Sequence, residues 1–145
     1  MTDMTTVEPD SKEVARRYVE VVWNDGNTEE MDEILTDHQV YHDPTGDGEE
    51  PLSEFKEFIE GYHQAFPDLQ FAVDDYIAED DLVSFWGRAT GTHEGPFMGI
   101  EPTGNRIDIM GINVVRVENG KIAERWANFD IFGMLQQLGQ EPLTG

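Results

Sequence analysis

Cysteine is absent from the 145 residues, which excludes disulfides, thiolate metal sites and cysteine nucleophiles. Bases are scarce: nine Lys and Arg stand against 31 Asp and Glu, for a formal net charge of -22. Such a surface repels phosphate backbones and anionic headgroups, so nucleic acid and membrane surfaces are poor partners. Long apolar runs are missing as well. None approaches the roughly 18 residues of a membrane span, and the opening MTDMTTVEPDSKEV has no basic segment followed by an apolar one. A protein without span or signal peptide, with a cytoplasmic address, is the expectation. Also lacking are a phosphate-binding glycine loop, a dinucleotide fingerprint and G-x-S-x-G.

Hydrophobic residues make up 38% of the chain and recur periodically, which argues for a packed domain rather than acidic disorder. The length suits one domain over 1–145, with residues 1–9 expected to be flexible. Only three of the nine bases are lysine (Lys12, Lys56, Lys121), and the acids spread from end to end. This is the surface expected of a halophile. In molar salt the screening length falls to about 3 Å, so self-repulsion that loosens the fold in dilute buffer is suppressed.

Helical periodicity comes first along the chain. Asp10 can cap a helix with Glu13 three residues on and a stripe of Val14, Tyr18, Val21 and Val22, stopped by NDGN. Thr28 can cap a short second helix through Met31, Ile34 and Leu35; QVYHDP then reads as a brief strand, and TGDGEEP as loop. Leu52, Phe55, Phe58, Ile59, Tyr62 and Phe66 mark a third helix ended by Pro67. The period then changes to two, giving strands over 69–78, 82–93, 106–118 and 121–128, the last two joined by the tight turn ENGK. A closing helix over 131–138 ends at Gly139. Helices early and antiparallel strands late mean α+β, with helices on the concave side of a curved sheet and a pocket between them.

On the strand over 106–118, Ile107, Ile109, Val115 and Val117 share one side and Met110, Ile112 and Val114 the other. A sheet apolar on both faces needs two covers, so a homodimer or higher homo-oligomer is expected. On the last strand, Trp126, Asn128 and Asp130 share one parity if the strand stays regular, which would put them on one wall.

Two stretches carry a family likeness: GTHEGPFMGIEPTGNRI (91–107), followed by VVRVENGKIAERWANFDIFGMLQQLG (114–139), with VVWNDGNTEEMDEILTDHQVYHDP upstream. Together they resemble the SnoaL-like polyketide cyclases, members of the nuclear-transport-factor-2-like α+β cone superfamily. The resemblance implies a cone-shaped, mostly antiparallel sheet around N-terminal helices. It also implies ring closure by intramolecular aldol condensation, without cofactor or metal, on a small hydrophobic carbonyl compound, with an aspartate as acid/base. Asp130 matches that aspartate, and His93 matches the histidine of G-x-H-x-G.

The residue types can be weighed against that chemistry on their own terms. Proton abstraction α to a carbonyl needs a base in reach and a donor for the enolate oxygen. Asp130, between Phe129, Ile131 and Phe132, suits a base in apolar surroundings, and it equally suits the N-cap of the closing helix. His93 either polarises a carbonyl or bonds its own turn. His38, His42 and Asp43 suggest a metal, but two strand positions four apart lie about 13 Å from each other, too far to chelate one ion. His42 or Tyr41, His63, Trp126, Asn128, Phe97 and Met98 are the candidate substrate contacts. An isomerase, dehydratase or hydrolase of the same fold, or a binding or dimerisation module without catalysis, remain the alternatives.

Overall fold

Asp10 opens the first helix as its spacing predicts: its carboxylate accepts from the Lys12 N–H, and α1 runs Ser11–Arg17. The computed structural model describes residues 10–139, and the stretch 1–9, expected to be flexible, lies outside the described residues. After α1 the geometry changes. Tyr18–Asn24 widens into a π-helix, closed by the Asp25 N–H on Glu20 O at 2.9 Å. In the wider turn residues five apart fall close to one face, and Tyr18 and Trp23 accordingly both face the central cavity. Apolar periodicity reads this stretch as more α-helix because one extra residue per turn barely disturbs so short a stripe.

Two other expectations shift. The second helix is capped by Asn27 rather than Thr28: Asn27 Oδ1 accepts from the N–H of Glu29 and Glu30, starting a 3-10 turn, Thr28–Glu30, that passes into α2, Met31–Ile34. TGDGEEP is not loop. Gly46–Pro51 is β2, an edge strand paired antiparallel with β1, Leu35–Asp43. Its glycines look like turn signals, but one of them makes room for an aromatic: a Cβ on Gly48 would lie 2.7 Å from the Tyr41 hydroxyl.

The remaining elements fall close to their expected places. These are α3 (Leu52–Ala65), β3 (Gln70–Glu79), β4 (Leu82–Thr92), β5 (Arg106–Glu118), β6 (Lys121–Phe129) and α4 (Ile131–Gln137). The α+β architecture is as expected. One curved, unclosed sheet runs β2-β1-β6-β5-β4-β3, antiparallel throughout except where β1 lies parallel to β6. The core fills its concave side, where Phe85, Ile107, Ile109 and Val115 of the sheet meet Tyr18, Val22, Phe55 and Ile59 of the helices.

One irregularity decides which side chains face that core. Register shifts by one between Arg116 and Val117, so Ala123 is an extra residue on β6: Val117 pairs with Ile122 and Arg116 with Glu124. Such a bulge reverses parity beyond it. Ile122 points inward, and past the bulge Arg125, Ala127 and Phe129 line up with the inner residues Val115, Asn113 and Gly111 of β5. The regular strand assumed from the sequence would have turned Trp126 inward. Instead Trp126 lies on the outer face, stacked on His42 with ring centroids 4.9 Å apart.

A cavity floored by a buried arginine

Between the π-helical segment, α3, the ends of β1 and β6 and the start of α4 lies a cavity of about 690 Å³. Its wall is largely aromatic, with Tyr18, Phe55, Phe58, Tyr62, Phe97 and Phe129 facing the space. The rings brace one another: Tyr62 packs on Phe58 at 4.9 Å and on Phe97 at 5.1 Å, and Trp23 on Phe129 at 5.9 Å. Burial pushes the Tyr62 phenol up to about 12, so it stays neutral and serves as wall. A second void of about 30 Å³, lined by apolar and aromatic side chains, lies beside Trp23, Tyr62 and Phe129.

The floor is polar at one place. Arg125, 9% exposed, donates from Nε to Gln39 Oε1 at 2.6 Å and from Nη2 to Glu50 Oε1, and its guanidinium lies 3.8 Å from the Phe55 ring centroid. Three strands thus contribute to one ion-pair network: Gln39 from β1, Glu50 from β2 and Arg125 from β6. Tyr18 stands beside it. Burial raises its phenol pKa, and the nearby Arg125 charge pulls the other way. Sequence periodicity places Tyr18 only in the apolar stripe of the first helix, and Arg125 is not among the candidate site residues. Arg125 carries a signal in the sequence, since it is a lone base in the run IAERWA, otherwise apolar or acidic.

The rim carries the carboxylates. Asp130 is the N-cap of α4, with Oδ1 accepting from the Gly133 N–H at 2.8 Å, and it also borders the cavity. A Cβ on Gly133 would come within 2.2 Å of Asp130 Oδ2, so this helix start is shaped around the carboxylate. Asp43 lies across the mouth, and the Thr45 hydroxyl bonded to it holds its carboxyl below the usual range. His42 sits at the same rim between two carboxylates, Nε2 2.7 Å from Glu124 and Nδ1 2.6 Å from Asp47. Those bonds, Glu124 first, raise the His42 pKa and lower that of Glu124. With both ring nitrogens bonded to carboxylates, the imidazolium is the form that fits.

Of the residues singled out in the sequence, Tyr41, His42, Phe97, Met98, Asn128 and Asp130 converge on this cavity. Trp126, His63 and His93 do not. His63 donates from Nε2 to the Trp23 carbonyl at 2.8 Å, tying α3 to the end of the π-helical segment. His93 is fully buried, and its Nδ1 accepts from the Thr103 N–H at 3.1 Å. The proton therefore sits on Nε2, which has no partner among the described residues. With its backbone bonded to Gly104 and Asn105, His93 closes the β4–β5 loop that carries Phe97 and Met98 over the mouth.

The model of a described family matches residues 12–138. The chain belongs to the SnoaL-like polyketide cyclases. Among solved structures, this SnoaL-like domain is similar to IdmH of Streptomyces antibioticus, a candidate polyketide cyclase, at 29% identity over 91% of this chain and 100% of that one, with a TM-score of 0.78. It is similar to AclR of Streptomyces galilaeus, a candidate hydroxylase, at 30% identity over 93% and 84%, with a TM-score of 0.79. A candidate polyketide cyclase of Acidithiobacillus ferrooxidans matches at 28% identity over 93% and 98%, also with a TM-score of 0.79. No curated protein matches the chain. Cyclase and hydroxylase descriptions thus stand side by side on one fold, so the reaction has to be argued from the site. Among the described residues no helix is long and apolar enough to cross a membrane.

Proposed function

We propose that this SnoaL-like protein binds a neutral, flat, largely apolar carbonyl compound and catalyses cofactor-independent proton transfer at the carbon next to its carbonyl, with Asp130 as acid/base. The supporting observation is a large aromatic cavity with a carboxylate at its rim, one of whose oxygens is held by the Gly133 N–H while the other is left for a substrate. The carboxylate takes the α-proton, the enolate carbon bonds to a second carbonyl carbon of the same molecule, and the resulting alkoxide recovers the proton. Atoms balance without a co-reactant, so intramolecular aldol closure needs no cofactor. Aromatic walls favour such a step by excluding water. His93 enters this reading as a positioning residue, through the loop that brings Phe97 and Met98 to the mouth.

Asp130→Asn tests the assignment, because asparagine caps as well as aspartate and leaves α4 intact. We expect wild-type protein to accelerate α-deuterium exchange of flat bicyclic ketones in D2O, followed by NMR, and the variant to lose about 100-fold or more of that rate while still binding the ketone. An unchanged exchange rate removes Asp130 from the chemistry. A second reading is favoured by the same geometry: the cap accounts for Asp130 completely, and the cavity is then a binding module, in which case neither protein accelerates exchange.

The outer face of the sheet supports a homodimer. Met110 and Ile112 are 47% and 48% exposed, next to Trp86, Val114 and Trp126, and the patch is flanked by the Arg88–Asp108 and Arg116–Glu124 pairs. A two-fold axis through such a face sets apolar against apolar and base against acid.

A further inference from the structure

Arg125 is fastened on three sides and open on one. Its Nε and Nη2 are taken by Gln39 and Glu50, and the Phe55 ring covers a face of the guanidinium. Nη1 makes no hydrogen bond among the described residues, yet it is not one of the sealed side-chain atoms without a partner, which are His93 Nε2 and Asn113 Nδ2. Nη1 therefore touches open space, and the space that Arg125 borders is the large cavity. The next inner residues of β6, Ala127 and Phe129, line the same cavity and carry no polar side-chain atom.

Holding the strands together does not require this arrangement. A packed apolar cluster would join β1, β2 and β6 as firmly as a desolvated ion pair. A charged donor open on an aromatic chamber, its direction fixed beforehand by Gln39, Glu50 and Phe55, is a preorganised binding group. Charge narrows what it can hold. Glu50 already balances Arg125, Asp43 and Asp130 border the same space, and the His42 ring is shared between Asp47 and Glu124. The lining thus offers one strong donor and no spare positive charge, which suits a neutral acceptor oxygen and disfavours a carboxylate or phosphate.

We propose that Arg125 Nη1 is the polar anchor of the cavity and holds the oxygen of a neutral ketone or quinone. The inference rests on the cavity being a binding site, as in the reading above, and it adds which way round the ligand lies. β6 pairs without a break from Arg125 to Phe129, and five residues of strand separate Arg125 from Asp130 by about 16 Å. The anchored oxygen therefore belongs to the end of the molecule remote from the carbon that Asp130 deprotonates. A ligand that engages both residues carries at least two carbonyl oxygens, one towards each end.

The probes are 2-acetylnaphthalene and 2-isopropenylnaphthalene, molecules of nearly one shape in which a carbonyl oxygen replaces a methylene group. Calorimetry gives their affinities in wild-type protein and in the double variant Glu50→Leu with Arg125→Met, where no charge is left alone. Wild type should prefer the ketone, and the double variant should lower that preference about tenfold or more while the hydrocarbon's affinity holds or rises. Arg125→Lys keeps a charge opposite Glu50 but has no Nη1, and it should shift the preference in the same direction. The carbonyl stretch of 13C-labelled ketone bound to wild type should lie below its value in an alkane solvent and return towards that value in the double variant. A preference unchanged in both variants, a wild-type stretch at the alkane value, or a stretch lowered equally in wild type and variant overturns the anchor and leaves the cavity as a binding site. 2-Naphthoate binding more tightly than the ketone overturns the neutral ligand. Neither naphthalene binding overturns the cavity reading itself, and the anchor with it.

Discussion

Arg125 joins three strands under the cavity, and its removal is the sharpest test of how this floor is held together. Its side chain is 10% exposed and that of Glu50 21%, so replacing either partner leaves the other charge largely desolvated. Breaking a buried pair from one side costs about 3 to 5 kcal/mol, whereas replacing both partners with apolar residues of similar volume is often close to neutral. The residual exposure of Glu50 argues for the lower end, about 3 kcal/mol for Arg125→Met. That corresponds to a fall of roughly 6 to 12 °C in melting temperature for a chain of this size. Glu50→Leu should cost a similar amount. The double variant should cost less than either single change rather than their sum of about 6 kcal/mol, a coupling well above the few tenths expected of independent sites. Urea unfolding is the assay, because urea carries no charge and leaves ionic strength under control; the Arg125→Met loss should persist from dilute to molar salt, since screening reaches a buried pair poorly. Single losses that simply add, or vanish in salt, would refute a desolvated network beneath the cavity.

The His42 clamp makes stability depend on pH in a defined direction. His42 has a raised pKa, so its contribution is full below about 6.5 and is lost as pH rises through the raised value, while Glu124, lowered, contributes above about 4.5 and loses that as pH falls through its own value. The melting-temperature difference between wild type and His42→Gln should therefore peak between about pH 4.5 and 6.5 and shrink at pH 9; a difference that grows with pH would contradict the clamp. Because the net charge is -22, the midpoint of thermal unfolding should climb steeply between about 0.1 and 1 M KCl, where screening tightens to about 3 Å, and a flat response would exclude a salt-adapted surface. Met110→Lys with Ile112→Lys should convert a dimer to monomer in sedimentation velocity without lowering the urea midpoint of the monomer, whereas an unchanged sedimentation coefficient would leave that face uncovered.

The parts of this molecule legible in the sequence are those governed by near neighbours. The strand limits of β5, the α3 stripe from Leu52 to Ile59, and the caps Asp10 and Asp130 all follow from side chains acting on backbone a few residues away. The edge strand β2 was hidden because its pairing comes from Tyr41 and its neighbours on β1, not from its own glycine-rich residues. His93 fitted the family motif by type, yet its ring turns into the loop that it closes.

By itself, then, the sequence determined the fold class, the family, the acidic surface and six of the residues around the cavity, since composition, periodicity and motif are properties of the chain read in order. The tertiary structure alone decided which way β6 faces. One inserted residue, Ala123, turned Arg125 inward and Trp126 outward, and the register that inserted it is set by pairing with β5. The same holds for the network at the cavity floor: Gln39, Glu50, Arg125 and the neighbouring Tyr18 come from three strands and a π-helical turn, and only the order of strands in the sheet brings them together.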